Sequence, residues 1–190
     1  DYHHASPLIN FLNSKGFSVI SILRNSIQGG SLRILCQKND KIINKRQVIN
    51  FVKKENKFLQ NKQKYINYWN IKILNKMNKF SKLIKSFKKN KKIIIGYGCP
   101  TKLILLLNIA KLNSRHIDCI VEDNVLKHNK YLPSTSIPVI DNKILKNKKP
   151  DVIIIFAWNF ADEIIKKIKN DFNKNISIVV PLPSLKIIKL

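Results

Sequence analysis

The chain has 190 residues, 44% of them hydrophobic, enough for one domain or for a modest domain plus a piece of another, and too apolar for a disordered polymer. Lys and Arg number 36 against 11 Asp and Glu, a formal net charge of +25. Only Arg24, Arg33, Arg46 and Arg115 are arginine. Arg is the side chain that grips phosphates and base edges bidentately, so its scarcity argues against a dedicated nucleic-acid binder. The lysine excess reads as solvated surface that favours anionic ligands at long range.

Cys36, Cys99 and Cys119 are an odd number without CxxC spacing, which argues against a disulfide framework and a zinc site. Buried free thiols in a reducing cytoplasm are expected. No apolar run reaches transmembrane length, and the N-terminus lacks the shape of a signal peptide. The chain opens on Asp1 rather than Met, so a segment upstream of it is expected.

Residues 5–16, "ASPLINFLNSKG", predict a short helix with Leu8, Ile9, Phe11 and Leu12 on one face and Gly16 as its stop. "FSVISILR" (17–24) and "SLRILCQ" (31–37) alternate apolar and polar around the turn "NSIQGG", the pattern of a hairpin. By itself such a piece is too small to bury a core, so 1–40 reads as the end of a larger domain.

From 41 to 90 the chain reads as a helical connector. Apolar residues recur from Val48 to Phe87 in steps of three, four or seven, and neither Pro nor Gly interrupts them. One helix over 45–88 would span roughly 66 Å, so a break into two is allowed for. One side is expected to pack against neighbours while the Lys-rich side stays solvated.

From 91 to 190 the pattern alternates. Strands are predicted at 91–97, 116–123, 151–158 and 176–182, helices at 101–113 and 161–172, and a shorter element, "SIPVID", at 136–141. Continuous apolar strands suit a parallel sheet covered on both faces, so a Rossmann-like α/β domain with right-handed crossovers is predicted.

Ligands bind outside the carboxyl ends of such strands, where four loops should converge: 96–102, 122–124, 158–159 and 181–183. Gly96 and Gly98 permit a tight turn, and the helix after it offers N–H groups to an anion. A third glycine at the dinucleotide position is lacking, and a purely structural turn is the competing reading. Lys102 is placed to pair with a phosphate or to stand in solvent. Glu122 and Asp123 end the second strand about 25 residues after the glycine turn, the place of a ribose-binding carboxylate or of a turn cap. Asn159 is a candidate helix cap or pocket residue beside Trp158. The four histidines form no catalytic or metal pairing.

The order "GYGCPTK…LLLN", "IDCIVEDNVLKHNKYLPSTSIPVI", "PDVIIIFAWNFADEII" and "IVVPLP" resembles the C-terminal domain of S-adenosylmethionine-dependent sugar C-methyltransferases. "SPLINFLNSKGFSVISILRNSIQGGSLRIL" resembles the last helix and closing hairpin of their methyltransferase domain, with Gly29, Gly30, Ser31 and Arg33 carrying the match. The resemblance implies a nucleotide-linked keto-deoxysugar as substrate. A base would remove a proton beside a ketone, and the enolate would attack the methyl group of S-adenosylmethionine.

It also implies that the cofactor turn and the Tyr-His-Glu-His run holding the base lie in the methyltransferase half, outside this chain. "DYHHASPL" aligns with the residues after that run, so His3 and His4 take no catalytic role. Where the family has Gly-Asn-Thr after the lysine of the glycine turn, this chain has Leu103, Ile104 and Leu105. The expected contribution is to the sugar-nucleotide pocket, through Gly96, Gly98, Lys102, Asp123 and Asn159, with the methyltransferase half as partner. The alternative is a stand-alone nucleotide- or nucleotide-sugar-binding module without catalysis.

Overall fold

The computed structural model describes residues 3–27, 30–39, 43, 45–145, 147–172 and 175–190, so Gly29 of the glycine pair above lies outside the described residues. The chain divides into two compact units, 1–69 and 70–190.

In the first unit, α1 (Ala5–Ser14) is followed by the antiparallel pair β1 (Phe17–Asn25) and β2 (Ser31–Lys38), whose register slips between Val19 and Ser21. The hairpin does not stand alone. Val48 of α2 (Arg46–Gln60) joins Ala5, Ile9, Val19 and Ile22 in a small core. The Gln47 side chain holds this helix on the sheet by pairing with both backbone groups of Ile22, donating to its oxygen at 2.6 Å and accepting from its N–H at 3.2 Å. α1 lacks a capping side chain of its own; the Glu55 carboxylate instead accepts the Ala5 N–H at 2.8 Å, an anion at a helix N-terminus. His4 lies 3.5 Å from the same carboxylate, so this histidine is occupied with the fold.

The long apolar periodicity resolves into two helices. α2 ends at Gln60, and α3 runs from Lys62 to Lys89. The expectation of one packed side holds for α2, through Val48, and for the second half of α3, but not for the stretch between them. Met77, Phe80 and Ile84 are buried, whereas Ile66, Trp69 and Ile73 are each more than two-fifths exposed. The difference is one of context: the buried residues are those that meet the sheet described next.

The second unit is built on seven strands: β3 (Ile94–Tyr97), β4 (Cys119–Glu122), β5 (Lys130–Tyr131), β6 (Pro138–Asp141), β7 (Val152–Ile155), β8 (Ser177–Val180) and β9 (Lys186–Lys189). Their spatial order is β5-β6-β4-β3-β7-β8-β9, with β6, β4, β3, β7 and β8 parallel and β5 and β9 antiparallel at the edges. The predicted strands are all present but shorter. The two edge strands are additions, β5 being two residues long and β9 carrying a lysine at each end, features that suit an edge facing solvent.

Alternation along the strands sorts the core into two layers. Ile94, Ile120, Val152, Ile154 and Val179 point to the face covered by α3 and α4 (Lys102–Ala110). Ile95, Tyr97, Val121, Ile153, Ile155 and Ile178 point to the face under α5 (Ala161–Asp171). The sheet therefore winds one way from β3 and the other way from β7, and the switch in strand order lies between those two central strands. No helix among the described residues is long and apolar enough to cross a membrane.

Candidate functional site at the carboxyl ends of the strands

The turn after β3 is where a nucleotide fold holds phosphate, and here it is closed from within. Gly96 sits inside β3, where a Cβ would stand 2.6 Å from the Phe156 ring and 2.9 Å from Ile120. Gly98 has φ +83°, and a Cβ there would meet the Ala157 Cβ at 2.8 Å. Both positions demand glycine because protein packs against them: one lets an aromatic ring cross the strand, the other lets the β7 exit approach the turn.

The backbone donors are likewise engaged. Gly98 donates to the Val121 carbonyl at 2.8 Å, and the Cys99 N–H donates to Glu122 Oε2 at 2.8 Å. The other Glu122 oxygen accepts from the N–H groups of Asp123 and Asn124 at 3.0 and 3.1 Å. Lys127 closes the knot, donating to the Cys99 carbonyl at 2.9 Å and lying 3.3 Å from Glu122 Oε2. The Glu122 side chain is only 13% exposed. Burial pushes its carboxyl up, but the N–H groups of Asn124 and Cys99 and the Lys127 ammonium outweigh burial and hold it below the ordinary carboxylate range. A carboxylate of the chain itself thus fills the place of a bound anion.

This arrangement does not fit S-adenosylmethionine at the glycine turn, because the carboxylate that would take ribose hydroxyls is spent on the turn's own backbone. Among the described residues no group of His, Cys, Asp and Glu could hold a metal ion.

Asp123, next in sequence, faces the other way. It bonds to the Asn142 side-chain amide and lies 3.8 Å from Lys167 Nζ. Lys167 donates to the Tyr97 hydroxyl at 2.9 Å and stands over that ring, 5.6 Å from its centroid. The hydrogen bond to Tyr97 raises the Lys167 pKa against a smaller opposing effect of burial. Tyr97, Asn142 and Lys167 line a cleft of about 260 Å³ on the α5 side, together with Lys143 and Asp171, and Asp123 reaches Asn142 and Lys167 from outside that lining. Sequence reasoning passed over Tyr97, Asn142 and Lys167; only the tyrosine's place between two glycines was a signal.

Asn159 lies in a second cleft, of about 300 Å³, between the β7–α5 turn and the β8–β9 turn. It sits in a single 3-10 turn, Trp158–Phe160, and the N-cap of α5 is Phe160, without a side-chain cap bond. The capping role expected of Asn159 is therefore not the one it has, because the extra turn moves the helix start one residue further along. Lys102 is exposed at the first residue of α4 and lines neither cleft. Of the three residues that replace the family's Gly-Asn-Thr, Leu103 is fully buried in the core, whereas Leu105 is 65% exposed. Of the expected residues, Gly96 and Gly98 belong to the closed turn, Asn159 lines one cleft, Asp123 bonds to a residue lining the other, and Lys102 belongs to none of these.

Comparison with known proteins agrees with this architecture. Residues 26–183 match the model of a family described as C-methyltransferase C-terminal domain. A stretch of 97 residues is 34% identical to the C-methyltransferase NovU of Streptomyces niveus, covering 51% of this chain and 23% of that relative. With the glycine turn, the two-way winding of the sheet and a family match over most of its length, the chain belongs to the C-methyltransferase C-terminal domain family.

Proposed function

We propose that the chain is the C-terminal part of an S-adenosylmethionine-dependent C-methyltransferase acting on a nucleotide-linked keto-deoxysugar, and that it helps to shape the sugar-nucleotide pocket. The observation that carries this reading is the rim of the sheet: two clefts with uncommitted volume flank a glycine turn whose own anion site is filled. Residues 1–40 would be the end of the methyltransferase domain, 41–90 a connector and 91–190 the pocket-forming domain. Methyl donor and catalytic base would be held by the methyltransferase half. The thiols of Cys36, Cys99 and Cys119 are free, which suits the cytoplasm.

In this division of labour the chain's own residues bind and orient. Asp123 and Asn142 offer an acceptor and a donor to sugar hydroxyls, and Lys167 offers a cation beside the Tyr97 hydroxyl. Gly96 and Gly98 act by shape, Lys102 by its charge at the rim, and Asn159 within its own cleft.

Calorimetric titration of the chain with nucleoside diphosphate-hexoses and with S-adenosylmethionine tests this. Binding of the first without the second is expected; micromolar affinity for S-adenosylmethionine would sink the reading. The second reading, a nucleotide-binding module that acts without a catalytic partner, is favoured by the second unit's own core and topology. Methyl transfer on adding the methyltransferase half decides against it. Retention on random DNA is expected to disappear between about 50 and 200 mM salt, as for non-specific charge attraction.

A further inference from the structure

We infer that the cleft between the β7–α5 turn and the β8–β9 turn takes the base ring of the nucleotide. This rests on the sugar-nucleotide reading above and adds to it a place and a chemistry. Phe160 is 60% exposed at the carboxyl end of the central strand β7, beside an exposed Asn159 and a half-buried Trp158. An aromatic ring left in solvent at the functional edge of an α/β sheet is a platform for another flat ring. Leu182 and the exposed Lys186 also line the cleft. The Asn159 amide carries both a donor and an acceptor, the pair needed to read the edge of a base.

Asp162 and Glu163, in the first turn of α5, line the cleft together with Lys186, and Lys76 donates to the carbonyl of the lining residue Pro183 at 2.5 Å. Two carboxylates beside two ammoniums leave little net charge to draw a phosphate in, and an uncharged ring is unaffected by either. The cleft lined by Tyr97 presents Lys143 and Lys167 together with Asp171, and Asp123 lies 3.8 Å from Lys167. A volume of about 300 Å³ is at the small end of ligand sites and suits a ring system rather than a whole nucleotide sugar.

The test uses the full chain with Trp69→Phe, which leaves Trp158 as the only indole and so as a reporter inside the cleft. Diphosphate-glucoses of uridine, thymidine, cytidine, adenosine and guanosine are titrated while Trp158 emission is followed, with calorimetry in parallel. Quenching by at least one of them is expected, with Phe160→Ala weakening its binding about tenfold and Asn159→Ala less. Glucose 1-phosphate serves as the base-free control, and its affinity is expected to be indifferent to Phe160→Ala. If a diphosphate-glucose binds and neither substitution alters its affinity, the base lies elsewhere and the inference fails while the sugar-nucleotide reading stands. If Phe160→Ala weakens glucose 1-phosphate equally, the cleft holds the sugar and the inference also fails. If no diphosphate-glucose binds, both readings fall together.

Discussion

Glu122→Gln changes one atom and is expected to cost about 3 kcal/mol of stability in the second unit. The magnitude follows from the donors that the two carboxylate oxygens serve. One oxygen accepts the Cys99 N–H and faces Lys127; the other accepts the Asp123 and Asn124 N–H groups. A glutamine must present its NH₂ to one of these pairs, so two donors lose their acceptor whichever way the amide turns. Hydrogen bonds to a charged group contribute about 1.5–3 kcal/mol each, and some of that loss is recovered by relaxation at this partly exposed turn.

The effect has a required pH dependence. The folded-state pKa of Glu122 is depressed, so its contribution is complete above the unfolded-state value and is lost as pH falls through the lower, folded-state value. Urea unfolding of both proteins at neutral pH and at stepwise lower pH checks this, with the difference shrinking as the wild-type carboxylate takes up its proton. A difference below about 0.5 kcal/mol at neutral pH, or one that stays constant down to acid, would refute the account of Glu122 as an ionised internal anion.

Gly96→Ala is expected to lower the unfolding midpoint by several degrees, since its Cβ would overlap Phe156 and Ile120, and overpacking costs about 1–3 kcal/mol. Adding Phe156→Leu should return part of that loss; if it does not, the Phe156 ring is not what excludes the methyl group. For Cys119, burial pushes the thiol up to about 11, so iodoacetamide at pH 8 is expected to leave it unmodified until the protein is unfolded. Mass-spectrometric detection of Cys119 alkylation at the same rate in the folded and unfolded chain would contradict its place in the sheet.

The sequence by itself determined the parts of this protein that depend on neighbours in the chain. The apolar runs read at 91–97, 116–123, 151–158 and 176–182 suit strands covered on both faces and contain the four central strands 94–97, 119–122, 152–155 and 177–180, and the helices between them pointed to a parallel sheet. The order of short motifs also made the family legible, because it needs no geometry. The end of the first helix of the connector at Gln60 was allowed for but not located, since neither Pro nor Gly marks it.

Tertiary structure decided the rest, because the deciding contacts join residues far apart in sequence. Whether the glycine turn is open or closed depends on Glu122 reaching back 23 residues to Cys99. Lys167 meets Tyr97 across 70 residues, and no local pattern distinguishes it from the neighbouring lysines on α5. Gly96 and Gly98 look like a phosphate turn in sequence, yet Phe156 and Ala157 use the space, and steric fit between strands is invisible to composition or period. Asn159 lost its expected cap to a single extra turn ending at Phe160, a choice of one residue that packing makes and propensity does not.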